Sequence, residues 1–263
     1  MDLIVTNGDT DKKQVVARVA QVLSAIGSHG TVGARLLDLS RATGIARPTV
    51  HRLLQELQDV GYVQQLESKR YALGAALFHL GAAAPSPVRD LAAVRRAAQK
   101  LSDACGDTVY VAMWQFGAAH YIVRTEGAFP IRAQSVNVGD TIPLTSSYNG
   151  LILLAQLDGD AREQHLAHLE HDQPDAWRTT SLAEHEQALR VALAQIDADG
   201  YVYGTDVVMP GLAGIALPVP SSTGRPIAAV SISGLESRLP AEREPELLTL
   251  LRATADEIAR FID

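Results

Sequence analysis

Arginine and glutamine carry paired polar groups that match the edges of guanine and adenine, whereas lysine, arginine and threonine suit phosphate oxygens. Arg47–Gln55 holds both sorts: Arg47 and Thr49 as phosphate partners, Arg52 and Gln55 as base readers, with Pro48 and His51 between them. Lys69 follows as a phosphate partner and Arg70 as either. A single surface arginine is ordinarily just solvated, so the group carries weight only if local structure holds it together.

That structure is legible. Val50, Leu53, Leu54 and Leu57 fall at i, i+3, i+4, i+7, one face of a helix, and Pro48, His51, Arg52 and Gln55 fall on the opposite face. Pro48 suits a first helical turn, where a missing N–H costs nothing. Gly44 lies in the short turn after a preceding helix near Ala34–Thr43, as a helix-turn-helix requires. Tyr62–Leu66 and Arg70–Leu73 read as a hairpin tipped by Glu67, Ser68 and Lys69, which makes a winged helix. A helix over Gln14–Ser28, with Val15, Val19, Val22, Leu23 and Ile26 on one face, completes the domain.

The net charge of −7 divides unevenly: residues 12–73 carry nine Lys/Arg against four Asp/Glu, and the remainder is acidic. A basic front joined to an acidic rear is the asymmetry of a nucleic-acid module attached to something else. The single cysteine, Cys105, excludes a disulfide framework and a thiolate zinc site, and reads as a small core residue. No secretory leader and no membrane-length apolar run is present, so the expectation is cytoplasmic with no membrane partner. No nucleophile elbow, phosphate loop or dinucleotide fingerprint occurs, which argues against an enzyme. His165, His168 and His171 are spaced i, i+3, i+6; only the first two share a helix face, and scattered surface histidines are the better reading than a metal site.

The run TGIARPTVHRLLQELQDVGYVQ, then RYALG, resembles the DNA-binding half of the IclR family of bacterial transcriptional regulators. GDTIPLTSSYNGLILLAQL, DGYVYGTDVVMPGLAGIALPV and GRPIAAVSISG follow in the family's order. The resemblance implies an α+β chain of two domains: an N-terminal winged helix-turn-helix and a GAF-like α/β effector-binding domain. The expected division is a disordered tail over 1–11, the winged helix over 12–73, a linker helix and hinge over 74–88, and the effector domain over 89–263. Double-stranded operator DNA, a small organic acid and a second copy of the chain are the implied partners, as a homodimer or a dimer of dimers. No cofactor is implied. Leu77, Phe78 and Leu80 of the linker are too apolar for a short isolated helix and fit a dimer contact, the alternative being that they fold back on their own domain.

In that family the effector lies at the start of a pocket helix and on two late strands. Carried over, the helix segment is Ser146, Ser147, Tyr148, Asn149 and Gly150, where backbone N–H groups favour an anion. Ser231 and Ser233 keep the family's paired hydroxyls and alternate onto one strand face. The chain departs from the pattern at Gly204, with Asp206 two residues on, at Gly214, and at Tyr148 and Asn149. Two glycines imply extra space, and with the apolar run Val207–Met209 they point to an effector larger and less polar than a short keto acid, such as an aromatic acid. The alternatives are that Tyr148 merely fills the pocket and no effector binds, or that the chain is a metabolite sensor or enzyme whose winged helix serves only protein contacts.

Overall fold

The computed structural model describes residues 8–130, 136–169, 181–222, 224 and 226–262, with side chains from residue 15 onward. The chain divides into two compact units, Met1–Pro85 and Ser86–Asp263.

In the first unit α1 (Gly8–Gly27), α2 (Leu36–Thr43) and α3 (Arg47–Asp59) pack around one core and are followed by the hairpin β1 (Val63–Gln65) and β2 (Tyr71–Leu73). Helix α1 begins at Gly8, so the expected tail over 1–11 is corrected for residues 8–11; residues 1–7 lie outside those described. Leu39 of α2 and Val50, Leu53, Leu54 and Leu57 of α3 are buried together with Val22 and Ile26 of α1. The expected apolar stripe is therefore the face that α3 buries. Helix α4 (Ala75–Ala83) follows the hairpin with no buried residue; Phe78 is 74 % and Leu80 54 % exposed. Its first turn is tied to its own unit by the Ala76 N–H, which donates to the Gly61 carbonyl at 3.3 Å. The unit boundary falls inside the expected 74–88 linker.

The second unit is built on an antiparallel six-stranded sheet in the order β5-β4-β3-β8-β7-β6. The strands are β3 (Thr108–Gln115), β4 (Ala118–Thr125), β5 (Thr141–Pro143), β6 (Val202–Thr205), β7 (Leu212–Pro218) and β8 (Ala228–Leu235). Alternation along each strand sends its side chains to two separate cores. Val109, Val111, Ile215, Val230 and Ile232 face α5 (Leu91–Cys105) and α9 (Glu244–Ala259). Tyr110, Ala112, Tyr121, Leu212, Ala216 and Ala229 face α6 (Tyr148–Leu154), α7 (Gly159–Leu166) and α8 (Leu182–Asp199). A register shift between Val111 and Ala112 leaves Ile122 as an extra residue and keeps both Tyr121 and Val123 buried, on opposite faces. Val94, Ala98, Leu101 and Cys105 of α5 pack on the Val123 face of the sheet. Strand β5, only three residues long, carried no readable alternation.

An arginine pair closes one corner of this unit. Asp107, whose side chain is 2 % exposed, takes Arg238 Nε at 3.1 Å and Arg243 Nη1 at 3.5 Å. Arg243 also donates to the Arg238 carbonyl at 2.8 Å, and the Arg238 guanidinium lies 4.5 Å above the Phe129 ring. Two cations thereby neutralise one buried carboxylate, which alone would be costly to desolvate.

Candidate functional sites

The candidate nucleic-acid face is set by the turn between α2 and α3. Gly44 ends α2 at φ 67°, a left-handed conformation that favours glycine. Ser40 Oγ donates to the Ile45 carbonyl at 2.7 Å, and Thr43 Oγ1 donates to Leu39 O at 2.7 Å while accepting the Ile45 N–H. These bonds fix where α3 starts. No side chain caps α3 at Ala46, and Pro48 lies in its first turn. Arg47, Pro48, His51, Arg52 and Gln55 are exposed and Thr49 is half-buried. Arg52 is 71 % exposed and only 3.8 Å from Glu56, an i,i+4 surface pair of small energetic worth that yields readily to a stronger partner.

At the wing Lys69 has φ 61° and sits exposed at the tip. Arg70 behaves differently from its neighbour: Nη1 donates to the Gly33 carbonyl at 3.0 Å. The Ala34 N–H and the Tyr71 carbonyl pair at 2.9 Å beside it. Arg70 therefore fastens the wing to the turn before α2, a role the sequence did not reveal.

The second site is a narrow cleft, partly open to solvent, between the sheet and α6. Ser146, Ser147, Ser231 and Ser233 line it as expected, joined by the hydroxyls of Tyr110 and Tyr121, which sequence reasoning missed. Val136, Val208, Met209 and Leu212 supply apolar wall. Register explains the gathering. Tyr110 on β3, Ser231 on β8 and Ala216 on β7 form one row across the sheet, and Ser233, Gly214 and Gly204 form the next. The period-2 placement of Tyr110 and Tyr121 was visible in the sequence, but not which face they take.

Among the described residues the lining carries no charged side chain. Its donors are hydroxyls, and Tyr121, hydrogen-bonded with Ser147 and deeply buried, has its phenol pKa pushed up, so it stays protonated at neutral pH. The Tyr110 and Tyr121 rings meet edge-to-face at 5.6 Å, which fixes both. Ser147 Oγ accepts the Gly150 N–H at 3.0 Å, so part of the expected anion site at the start of α6 is taken by its own cap.

Four expected pocket residues stand elsewhere. Gly204, Gly214, Asp206 and Asn149 do not line the cavity. The glycine space is filled: a β-carbon on Gly214 would come within 2.8 Å of Tyr148 Cγ and nearer still to Cδ2 and Cε2. Tyr148 is 2 % exposed, its hydroxyl donates to the Gly204 carbonyl at 2.7 Å, with the Leu212 carbonyl at 3.3 Å, and burial raises its pKa. The inference that two glycines enlarge the ligand space is corrected accordingly. Asp206, at φ 59°, is exposed, and its Oδ1 accepts the Gly211 N–H at 2.6 Å, organising its own loop. Asn149 is fully buried with neither side-chain polar atom paired. His168 binds the Gln164 carbonyl and His171 lies outside the described residues, among which no metal-ligating cluster forms. Cys105 is buried, and burial pushes its thiol pKa up to about 11.

Residues 88–260 match the family model of the bacterial transcriptional regulator IclR C-terminal domain, and residues 15–67 match that of the IclR helix-turn-helix domain. The chain belongs to the IclR family. The HTH-type transcriptional regulator KdgR of Escherichia coli (strain K12) is 31 % identical, covering 96 % of this chain and 95 % of its own. The transcriptional repressor IclR of the same organism is 28 % identical over 97 % and 92 %. In fold, the chain resembles an IclR homologue from Microbacterium hydrocarbonoxydans solved with 4-hydroxybenzoate, with TM-score 0.55, 24 % identity and coverage of 93 % and 97 %. This chain is thus an IclR-family transcriptional regulator with two α+β domains and no catalytic role. Among the described residues no helix is long and apolar enough to cross a membrane.

Proposed function

We propose that this IclR-family chain is a cytoplasmic repressor that binds a near-palindromic operator as a homodimer, or as a pair of dimers, and whose affinity for that DNA is modulated by a small organic acid. The carrying observation is the pairing of an exposed, basic α3 face with a hydroxyl-lined cavity in the other unit. Arg52 and Gln55 read base edges; Arg47, Thr49 and Lys69 hold phosphates, with Pro48 and His51 shaping the same helix start. Dimerisation through Phe78 and Leu80 of α4 would bury apolar side chains that one chain leaves exposed, and two-fold operators match two-fold proteins. The relative named as a repressor supports that sign of regulation.

A carboxylate in the cavity would be held by neutral donors from Ser146, Ser147, Ser231, Ser233 and Tyr121. The ligand acts by favouring one DNA-binding arrangement of the dimer over another. Within the acid class, an aromatic member has a precedent in the 4-hydroxybenzoate complex of the Microbacterium homologue, but it competes with the Tyr148 ring for room.

The test is fluorescence anisotropy on the DNA upstream of the protein's own coding sequence against a scrambled duplex, over a range of salt and with candidate acids. Sequence-dependent binding with a steep salt slope, altered by an acid, is expected. Equal weak binding to both duplexes with every acid tried sinks the reading and favours a metabolite sensor whose winged helix contacts proteins.

A further inference from the structure

We propose that Tyr148 determines which acids the cavity admits: its phenol ring occupies the Gly214 side of the site and restricts the ligand to short-chain acids, excluding aromatic ones. This deepens the organic-acid reading and rests on it.

Three observations carry it. Gly204 and Gly214 are register partners on β6 and β7, and Gly214 continues the row to Ser233, which lines the cavity. The ring of Tyr148 therefore lies on the same sheet face as the ligand hydroxyls, immediately beside them. The niche is shaped for a six-membered ring: where other residues would place a β-carbon, Gly214 leaves its Cα bare against the Tyr148 ring. The far end of the niche is polar in the way a phenol needs, because the Gly204 carbonyl accepts the Tyr148 hydroxyl at 2.7 Å. Tyr148 also lines the cavity itself. An aromatic ring placed on this part of the sheet, beside Ser231 and Ser233, would meet the ring of Tyr148.

Removing the side chain beyond its β-carbon leaves a phenol-shaped hole, and a preformed cavity of this kind binds a matching small molecule. The experiment uses the full-length protein as wild type, Tyr148→Ala and Tyr148→Phe. Thermal shift with phenol should stabilise Tyr148→Ala and neither of the other two. Calorimetry with 4-hydroxybenzoate should give at least tenfold tighter binding to Tyr148→Ala than to wild type, while pyruvate or glyoxylate differs by less than about threefold between them. Tyr148→Phe keeps the ring and should exclude 4-hydroxybenzoate as wild type does. Should the alanine variant not fold, Tyr148→Leu makes the same comparison, with a smaller gain expected. Equal affinity of wild type and the truncated variant for 4-hydroxybenzoate overturns the proposal. Failure of the organic-acid reading looks different: no acid alters operator binding by the wild type, although 4-hydroxybenzoate still gains its place in Tyr148→Ala.

Discussion

The ring of Tyr148 lies against the bare Cα of Gly214, on the space a β-carbon would need. The two residues are far apart in the chain and each explains the other. A glycine in the middle of a buried strand weakens it unless something approaches closely, and here that something is the ring. Gly214→Ala should therefore destabilise the second unit by about 1–3 kcal/mol through overpacking. Tyr148→Ala should itself cost about 3 kcal/mol. In the double variant the alanine at 214 has no ring to meet, so the combined loss should be well below the sum. Urea unfolding of the four proteins measures this, and strict additivity would show that the contact is not the cause.

Arg52→Ala with Gln55→Ala should abolish discrimination between operator and scrambled DNA while leaving weak, salt-sensitive binding in place. Both side chains are exposed, so the melting temperature should hardly move. Anisotropy together with a thermal melt checks this; retained discrimination would assign base reading to other residues.

Lys69 and Arg70 are adjacent but should respond differently. Lys69 is exposed at φ 61°, so Lys69→Gly removes a phosphate partner while relieving about 1 kcal/mol of backbone strain. The salt slope of DNA binding should fall by about one per protomer bound while stability rises. Arg70→Ala loses the bond to the Gly33 carbonyl, and should lower stability by about 1 kcal/mol. The same two measurements separate the cases, and identical effects of the two substitutions would refute the distinction.

Asp107→Ala leaves Arg238 and Arg243 without their shared buried carboxylate. Breaking such a group from the buried side should cost about 3 kcal/mol. Asp107→Asn should be milder, because an amide oxygen still accepts from one guanidinium. Denaturant midpoints decide, and an unchanged midpoint in the alanine variant would show that the cluster contributes nothing.

His185 on α8 is buried, and desolvation lowers its pKa below the usual histidine value near 6.5. The unfolded chain then binds the proton more readily than the folded one, so stability is complete above about pH 6.5 and declines as pH falls toward the folded pKa. His185→Leu should remove its share of that decline. Melting temperatures of wild type and variant between pH 5 and 8 test it; parallel curves would mean that other groups set the acid limit.

Most of the first unit was legible in the residues themselves. Its signals are local: the Val50, Leu53, Leu54, Leu57 stripe, Pro48 in the first turn of α3 and Gly44 in the turn before it all act within a few residues of the structure they specify. The sequence also marked Ser231 and Ser233 as a pair, because period-2 alternation on one strand needs no tertiary information. The tertiary structure alone decided what surrounds them. Tyr110 and Tyr121 join the serines only because β3 pairs with β8 on one side and β4 on the other. Arg70 turned from a surface charge into a fastening because Gly33 folds back beside it. The two glycines read as empty space because a sequence lists what a residue lacks, and only packing shows what takes its place. Interiors close to crystal-like density, so the room left by Gly214 was filled by the nearest ring, that of Tyr148.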